Sequence, residues 1–313
     1  MKKILLAGGG GFVGRHLGVA LKACGHRVFQ ADLPVIAKVN QDILPMELAD
    51  ESSLRNVLET VKPDVIFHLA AQAQVPLSWK EPVLTIDANI TGSIRLFMLA
   101  SEIVPSARFI FIGSGDEYGT GCDLEHPFDE TTVCKPQNPY AVSKYSAGMI
   151  LAQLAEKNHS DFIHLRPFNH FGPGQREGFV ISDFCAQIAR IEKGLQPPLM
   201  QIGCLDAMRD FSFVSDIVAA YVMFAEAKEH KHIVYNLCTG IPHRIQDILD
   251  CLLNCANIPI RTEINVERYR KPENPILYAS NARVKEEFGW SPVTDFTDGL
   301  LQTLNYWRKR SKD

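Results

Sequence analysis

Lys3-Ile4-Leu5-Leu6-Ala7-Gly8-Gly9-Gly10-Gly11-Phe12-Val13-Gly14 opens the chain and decides its fold. Lys3 to Ala7 is a short apolar run and reads as a buried strand. Val13 to Cys24 carries helical periodicity. Between them Gly8, Gly11 and Gly14 form G-x-x-G-x-x-G. Glycines allow the tight turn and let the backbone approach a pyrophosphate. The helix start adds free N–H groups and a positive dipole end. A glycine loop can serve flexibility alone, but strand-turn-helix is the setting a dinucleotide fingerprint requires. Gly8, Gly11, Phe12, Val13 and Gly14 are therefore candidate cofactor contacts.

The next strand, Arg27 to Ala31, leads to Asp32, eighteen residues beyond Gly14. A carboxylate there can accept hydrogen bonds from both adenosine ribose hydroxyls and repels a 2′-phosphate. That favours NAD(H). Arg15 can offset the repulsion and leaves NADP(H) open.

Strands and helices then alternate. Glu51 to Val61 reads as a helix closed by Pro63, and Asp64 to Leu69 as a strand. Pro82 to Ile103 reads as a helix, Arg108 to Ile112 as a strand, Pro139 to Asn158 as a long helix and Asp161 to Leu165 as a strand. This alternation predicts an α/β, Rossmann-type, doubly wound parallel sheet. After Pro167 the rhythm breaks, with loops at Pro173-Gly174 and Pro197-Pro198. Helices are expected at Ser215 to Ala227, Ile245 to Ala256 and Asp298 to Arg310, and a strand at Ile233 to Asn236.

With 46% hydrophobic and 22% charged residues, the composition of the 313-residue chain is that of a soluble globular protein. A net charge of −4 gives no reason to expect nucleic acid or an anionic membrane as partner. The eight cysteines lack metal-type spacing, so reduced thiols in a cytoplasmic protein are expected and no metal. Lys2-Lys3 and the apolar run after them could open a signal peptide, but the glycines and Arg15-His16 cut it short. No apolar stretch was expected to approach the roughly 18 residues of a membrane span.

Tyr140-Ala141-Val142-Ser143-Lys144 places a phenol and an ammonium four residues apart, on one helix face. The cation should favour the ionised phenol and bring it into use as an acid/base near neutral pH. Such pairs arise by chance in many helices, so the weight comes from their company.

That company is Gly8/Gly11/Gly14, His68-Leu69-Ala70-Ala71, Ser114 with Tyr118-Gly119, Asn138-Pro139-Tyr140 through Lys144, and Arg166-Pro167-Phe168-Asn169. Nearly end to end, the chain resembles the extended short-chain dehydrogenases/reductases of the NAD-dependent epimerase/dehydratase family. The resemblance implies that Ser114, Tyr140 and Lys144 are catalytic. Tyr140 would protonate a carbonyl oxygen as hydride reaches carbon, Ser114 would bond that oxygen, and Lys144 would lower the Tyr140 pKa and hold the nicotinamide ribose. Leu69, Ala70 and Ala71 join the cofactor contacts. Structural readings remain beside these: Ser114 as a turn cap and Lys144 as a solvated helix residue.

The related 4,6-dehydratases carry an acid and a base directly after the Ser position. Here those positions are Gly115 and Asp116. Asp116 could polarise a substrate hydroxyl or be a loop carboxylate. Glu117, one place on, should face away if the segment continues the strand. The run Arg166 to Gln175 with Gly178-Phe179-Val180, Arg209-Asp210-Phe211 and Gly289-Trp290-Ser291-Pro292 looks most like the GDP-4-keto-6-deoxy-D-mannose reductases, which form GDP-D-rhamnose.

Asn169, Arg209, Arg270 and Glu273 match family positions that hold the nucleoside diphosphate sugar, with Arg suited to phosphate oxygens. An Arg209–Asp210 ion pair is the structural alternative. Lys271 stands where the family usually has proline. The resemblance also implies a cofactor domain at 1–166 and about 208–237, a sugar-nucleotide domain at about 167–207 and 238–313, and a homodimer through a four-helix bundle. The rival functions are an NAD-dependent 4-epimerase, a 4,6-dehydratase, or a cofactor-binding regulator without turnover.

Overall fold

The computed structural model describes residues 1–265 and 274–310. Strands β1 (Lys3–Ala7), β2 (Arg27–Asp32), β3 (Ile43–Pro45), β4 (Val65–His68), β5 (Arg108–Ile112) and β6 (Phe162–Pro167) share one sheet. The chain then leaves to form β7 (Asn169–Phe171), β8 (Leu199–Ile202) and β9 (Met208–Phe213). It returns with β10 (Val234–Leu237) as the seventh strand of the first sheet, in the order β10-β6-β5-β4-β1-β2-β3. Every pairing in that sheet is parallel. This is the doubly wound Rossmann-type arrangement.

Parallel sheets need cover on both faces, and the β1 side chains show how they get it. Ile4 and Leu6 enter a cluster with Leu17 and Leu21 of helix Phe12–Ala23 and with Ile217, Tyr221 and Phe224 of helix Val214–Glu226. Leu5 and Ala7 face the opposite cluster, which holds Leu54 and Leu58 of helix Glu51–Val61, Phe97, and Leu151 of helix Pro139–Asn158. Ala7 is in register with both Ala31 and His68, His68 with Phe111, and Ile112 with Leu165. Gly8, Asp32, Leu69, Gly113 and Arg166 therefore stand along one carboxyl edge, where ligands of such sheets bind.

Helix Pro82–Ile103 corrects one expectation. Its 22 residues have mean hydropathy 1.3 over the best window, long and apolar enough to cross a membrane by length and composition. Counting uninterrupted apolar residues missed this, because polar residues are interspersed. In the fold the helix packs Leu96, Phe97, Leu99 and Ala100 into the core. It also contains a π turn, Asp87–Thr91.

Past Pro167 the sequence reading missed most of the architecture. Helix Val180–Glu192 and the short helix Ala282–Phe288 were not foreseen. Strand β9 centres a second sheet, pairing with β7, with β11 (Pro242–Arg244) and with β13 (Ile276–Leu277). Strand β12 (Arg261–Ile264) pairs with β8. These strands are short and irregular, so period-two alternation has little length to show itself. A third core gathers Phe171, Phe184, Phe211, Phe213, Leu249 and Trp307. All eight cysteines are free thiols.

Candidate active site

Backbone builds the cofactor end. Gly8 donates to Ala31 O at 2.8 Å and Gly11 to Gly8 O at 3.1 Å. A Cβ on Gly14 would lie 2.6 Å from Gly9 O and 2.7 Å from Gly8 O, against backbone that cannot yield. Gly8 has φ +88°, and a Cβ there would meet Ala70 N at 2.6 Å. Leu69 and Ala70 both donate to Ala7 O at 2.8 Å, which presses the loop after β4 onto the turn. Helix Phe12–Ala23 begins at Gly11 with no side-chain cap and no acid in its first turn, leaving its N–H groups for an anion.

Asp32 closes β2 beside this turn. Its carboxylate accepts from Gly10 N at 2.9 Å and Leu33 N at 2.8 Å. Arg15 spends its guanidinium on Gly10 O at 2.8 Å and Gly174 O at 3.1 Å. It thus ties the turn to the loop beyond β7 instead of standing free to meet a 2′-phosphate.

The reacting end is built from side chains. Asn138 caps helix Pro139–Asn158 by accepting from Ala141 N at 2.8 Å, and Pro139 sits in the first turn. This starts the helix so that Tyr140 and Lys144 share a face one turn apart. Ser114 caps the 3₁₀ turn Gly115–Tyr118, its Oγ accepting from Asp116 N at 3.1 Å. Burial, then Asp116, pushes the Tyr140 phenol pKa up, opposed by a hydrogen bond with Ser114. Ser114, Asp116 and Tyr140 are therefore neighbours.

The Tyr140 pKa stands above its ordinary value, because burial and Asp116 outweigh the lowering expected from Lys144. The Lys144 ammonium donates to Ile112 O at 2.7 Å and lies 5.1 Å from the Phe111 ring centre. Burial lowers its own pKa to about 8, with Glu117 pulling the other way. A phenol so held is protonated at neutral pH but a weaker acid than a free one, so it gives its proton only to an oxygen made strongly basic in the reaction.

Gly115 is packed shut. A Cβ there would lie within 2.9 Å of three ring atoms of Phe168. Glu117 lies in a 3₁₀ turn and not on a continued strand. Its carboxylate is fully buried, accepting from Ser114 N at 2.9 Å, His164 Nε2 at 3.0 Å and Arg166 Nε at 2.8 Å.

Asp116 also acts on Arg209, whose guanidinium pKa burial lowers and Asp116 raises. Arg209 donates to Met208 O at 2.8 Å. The alternative pairing with Asp210 is not how that carboxylate is used. Asp210, next along β9 and so on its other side, accepts from Thr239 N, Thr239 Oγ1 and Gly240 N, each at 2.8 Å. Burial raises its pKa to about 6. Asn169 begins β7, in register with Phe211. Arg270, Lys271 and Glu273 lie outside the described residues.

Sequence reasoning missed a buried chain of hydrogen bonds behind helix Pro139–Asn158. Asn89, in the π turn, donates through Nδ2 to Ser143 Oγ and to Gln72 O, each at 2.9 Å. Ser143 Oγ donates to Tyr140 O at 2.7 Å. The only sequence signal was polar residues on an otherwise apolar helix, which does not reveal a π turn. Among the described residues no group of three His, Cys, Asp or Glu side chains could hold a metal ion.

Residues 5–303 match the model of the GDP-mannose 4,6 dehydratase family. The chain belongs to that family. The GDP-6-deoxy-D-mannose reductase of Pseudomonas aeruginosa is 32% identical over 312 residues, covering 100% of this chain and 99% of the relative. The structure of RMD from Pseudomonas aeruginosa complexed with NADPH superposes with TM-score 0.86 at 32% identity, covering 98% of this chain and 99% of the other. A UDP-glucose 4-epimerase from Thermotoga maritima, solved with UDP-glucose, gives TM-score 0.86 at 28% identity, covering 99% of both chains. The family thus contains reductases, dehydratases and epimerases. The expectation of an NAD(P)-dependent oxidoreductase acting on a nucleotide sugar agrees with this membership.

Proposed function

We propose that the protein reduces the C4 ketone of GDP-4-keto-6-deoxy-D-mannose to GDP-D-rhamnose with a nicotinamide cofactor. The observation that carries this is Gly115. The position that would hold a dehydratase acid has no side chain, and the Phe168 ring occupies the space one would need. The full-length likeness to a GDP-6-deoxy-D-mannose reductase points the same way.

A reduced nicotinamide on the glycine turn would supply hydride. Tyr140, its proton held by burial and Asp116, donates that proton to the C4 oxygen. Ser114 Oγ donates a hydrogen bond to the same oxygen and steadies its charge. Lys144 holds the nicotinamide ribose. Arg209, half-buried beside Asp116, and Asn169 take the sugar diphosphate, with Arg270 and Glu273 assigned by resemblance alone. Asp116 acts as a polar contact to the sugar instead of an eliminating base. NADH is favoured over NADPH, because Asp32 ends β2 beside the glycine turn, where a carboxylate repels a 2′-phosphate, and Arg15 is engaged elsewhere.

Two lobes carry the roles, cofactor at 1–166 and about 214–237, and sugar nucleotide at about 167–213 and 238–313; the expected boundary near 208 moves because β9 centres the second sheet and Phe213 enters the third core. Val83, Leu84 and Met98 on one helix and Val142, Met149 and Ile150 on the other are exposed, which supports a homodimer through a four-helix bundle. A monomeric mass at micromolar concentration would remove that part. The free thiols fit a cytoplasmic setting.

The test is stoichiometric. Purified protein should consume one NADH per 4-keto sugar nucleotide reduced. Turnover of a UDP-sugar with no net change in cofactor would assign it to the epimerases instead.

A further inference from the structure

Beneath Ser114 lies a buried charged group that the proposed reduction does not use. Glu117 joins two elements: it accepts from Ser114 N at the head of its own turn and from His164 and Arg166 of β6. The two faces of this group are cleared by glycine. A Cβ on Gly113 would collide with Glu117 Oε1 and His164 Nε2, and one on Gly148 with the His164 ring. Gly148 is one turn beyond Lys144 on the catalytic helix, so the imidazole sits wedged between that helix and the end of β5. Arg166 continues over the Tyr118 ring at 4.8 Å, whose hydroxyl donates to Asn236 Oδ1 at 2.8 Å.

We infer that Glu117, backed by His164 and Arg166, is a positioning residue for the reaction, locking the Ser114 turn to the Tyr140–Lys144 helix. This rests on the reading of Ser114, Tyr140 and Lys144 as the reacting group. Burial costs a lone carboxylate heavily, so Glu117 is retained here only because its oxygens are filled. Burial holds His164 below the usual imidazole range, and His164 and then Arg166 hold the Glu117 carboxyl below its own ordinary value. The titratable groups around Lys144 are Glu117 from the turn, which acts on it, His164 from β6 and His68 from β4, whose pKa values it lowers, and Tyr140 one turn back on its own helix. Of these Glu117 alone is an anion, and it favours the Lys144 ammonium. Its removal moves the Lys144 pKa down.

The experiment is the pH profile of kcat for Glu117→Gln, beside wild type and Tyr140→Phe. Gln keeps an acceptor for Ser114 N but no charge. The alkaline limb should move to lower pH by about one unit, with kcat falling at neutral pH. A purely structural Glu117 would lower the melting temperature and leave the limb in place, and that result overturns the inference. If the single variant does not fold, Glu117→Gln/Arg166→Gln leaves no unpaired buried charge; with the Arg166 cation also gone the limb should move in the same direction by less, and a limb left in place overturns the inference. Activity surviving in Tyr140→Phe would instead refute the reading of the reacting group, so the two failures are distinguishable.

Discussion

The two ends of the site are made differently. At the cofactor turn the work is done by atoms that are not there: Gly8 and Gly14 leave room for backbone at 2.6 Å from where a Cβ would stand. At the reacting end it is done by ionisable side chains taken out of water, with Lys144 4% exposed and Glu117 0%. A steric site tolerates no added atom but is indifferent to pH. An electrostatic site tolerates small changes of shape and responds to every proton.

Substitutions can separate the two. The largest effect belongs to Tyr140→Phe, which should reduce kcat by about a thousandfold, roughly 4 kcal/mol of barrier. NADH binding, followed by fluorescence titration, should stay near wild type, and a matching loss of binding would dissolve the distinction. Gly14→Ala should do the opposite. Forcing a methyl against Gly8 O and Gly9 O should cost about 2 to 3 kcal/mol of stability by thermal melting, and NADH affinity with it. A fold that absorbs this methyl without loss would show the turn to be looser than its contacts indicate.

Asp32→Ala should raise KM for NADH by about tenfold, the worth of hydrogen bonds to a charged acceptor, and narrow the preference over NADPH. Steady-state kinetics with both cofactors measure it, and an unchanged ratio would take Asp32 out of cofactor choice. The smallest effect is a pH dependence confined to the electrostatic end. Lys144 has its folded pKa lowered from 10.5 to about 8, so turnover should decline as pH rises past 8. The sign for stability is opposite. Folding disfavours the ammonium, so this cost is full below pH 8 and is relieved as pH climbs toward the unfolded value of 10.5. Rate and melting temperature should therefore diverge across that window, and a parallel fall would mean that another group controls the limb.

The same difference decides what could be read in the sequence. Glycines at fixed spacing between a strand and a helix announce a steric site directly, and the strand–helix alternation up to Leu165 carried the sheet with it. Motifs singled out Tyr140, Lys144 and Ser114, and the fold brings Tyr140 beside Ser114 and one turn from Lys144. Their mutual electrostatics were not legible, because the phenol responds to burial and to Asp116, which spacing does not encode. Asn89 was invisible because a π turn leaves no periodic trace. The second sheet went unseen because β7, β11 and β13 are three, three and two residues long. The meaning of Gly115 was read as a missing acid, and the structure adds that Phe168 closes the place.

One consequence follows from where the chain changes sides. Phe213 belongs to the third core and Val214, its neighbour, to the first. Leu237 lies beside Pro167 in the main sheet, at the very strand end where the chain first departs. Val284 and Trp290 then return to the first core before Leu300 and Trp307 rejoin the third. Sewn together by so many crossings, neither lobe can be expressed as an autonomous fragment. The two lobes should melt in one cooperative transition, and folding should be slow because its decisive contacts join residues far apart in sequence.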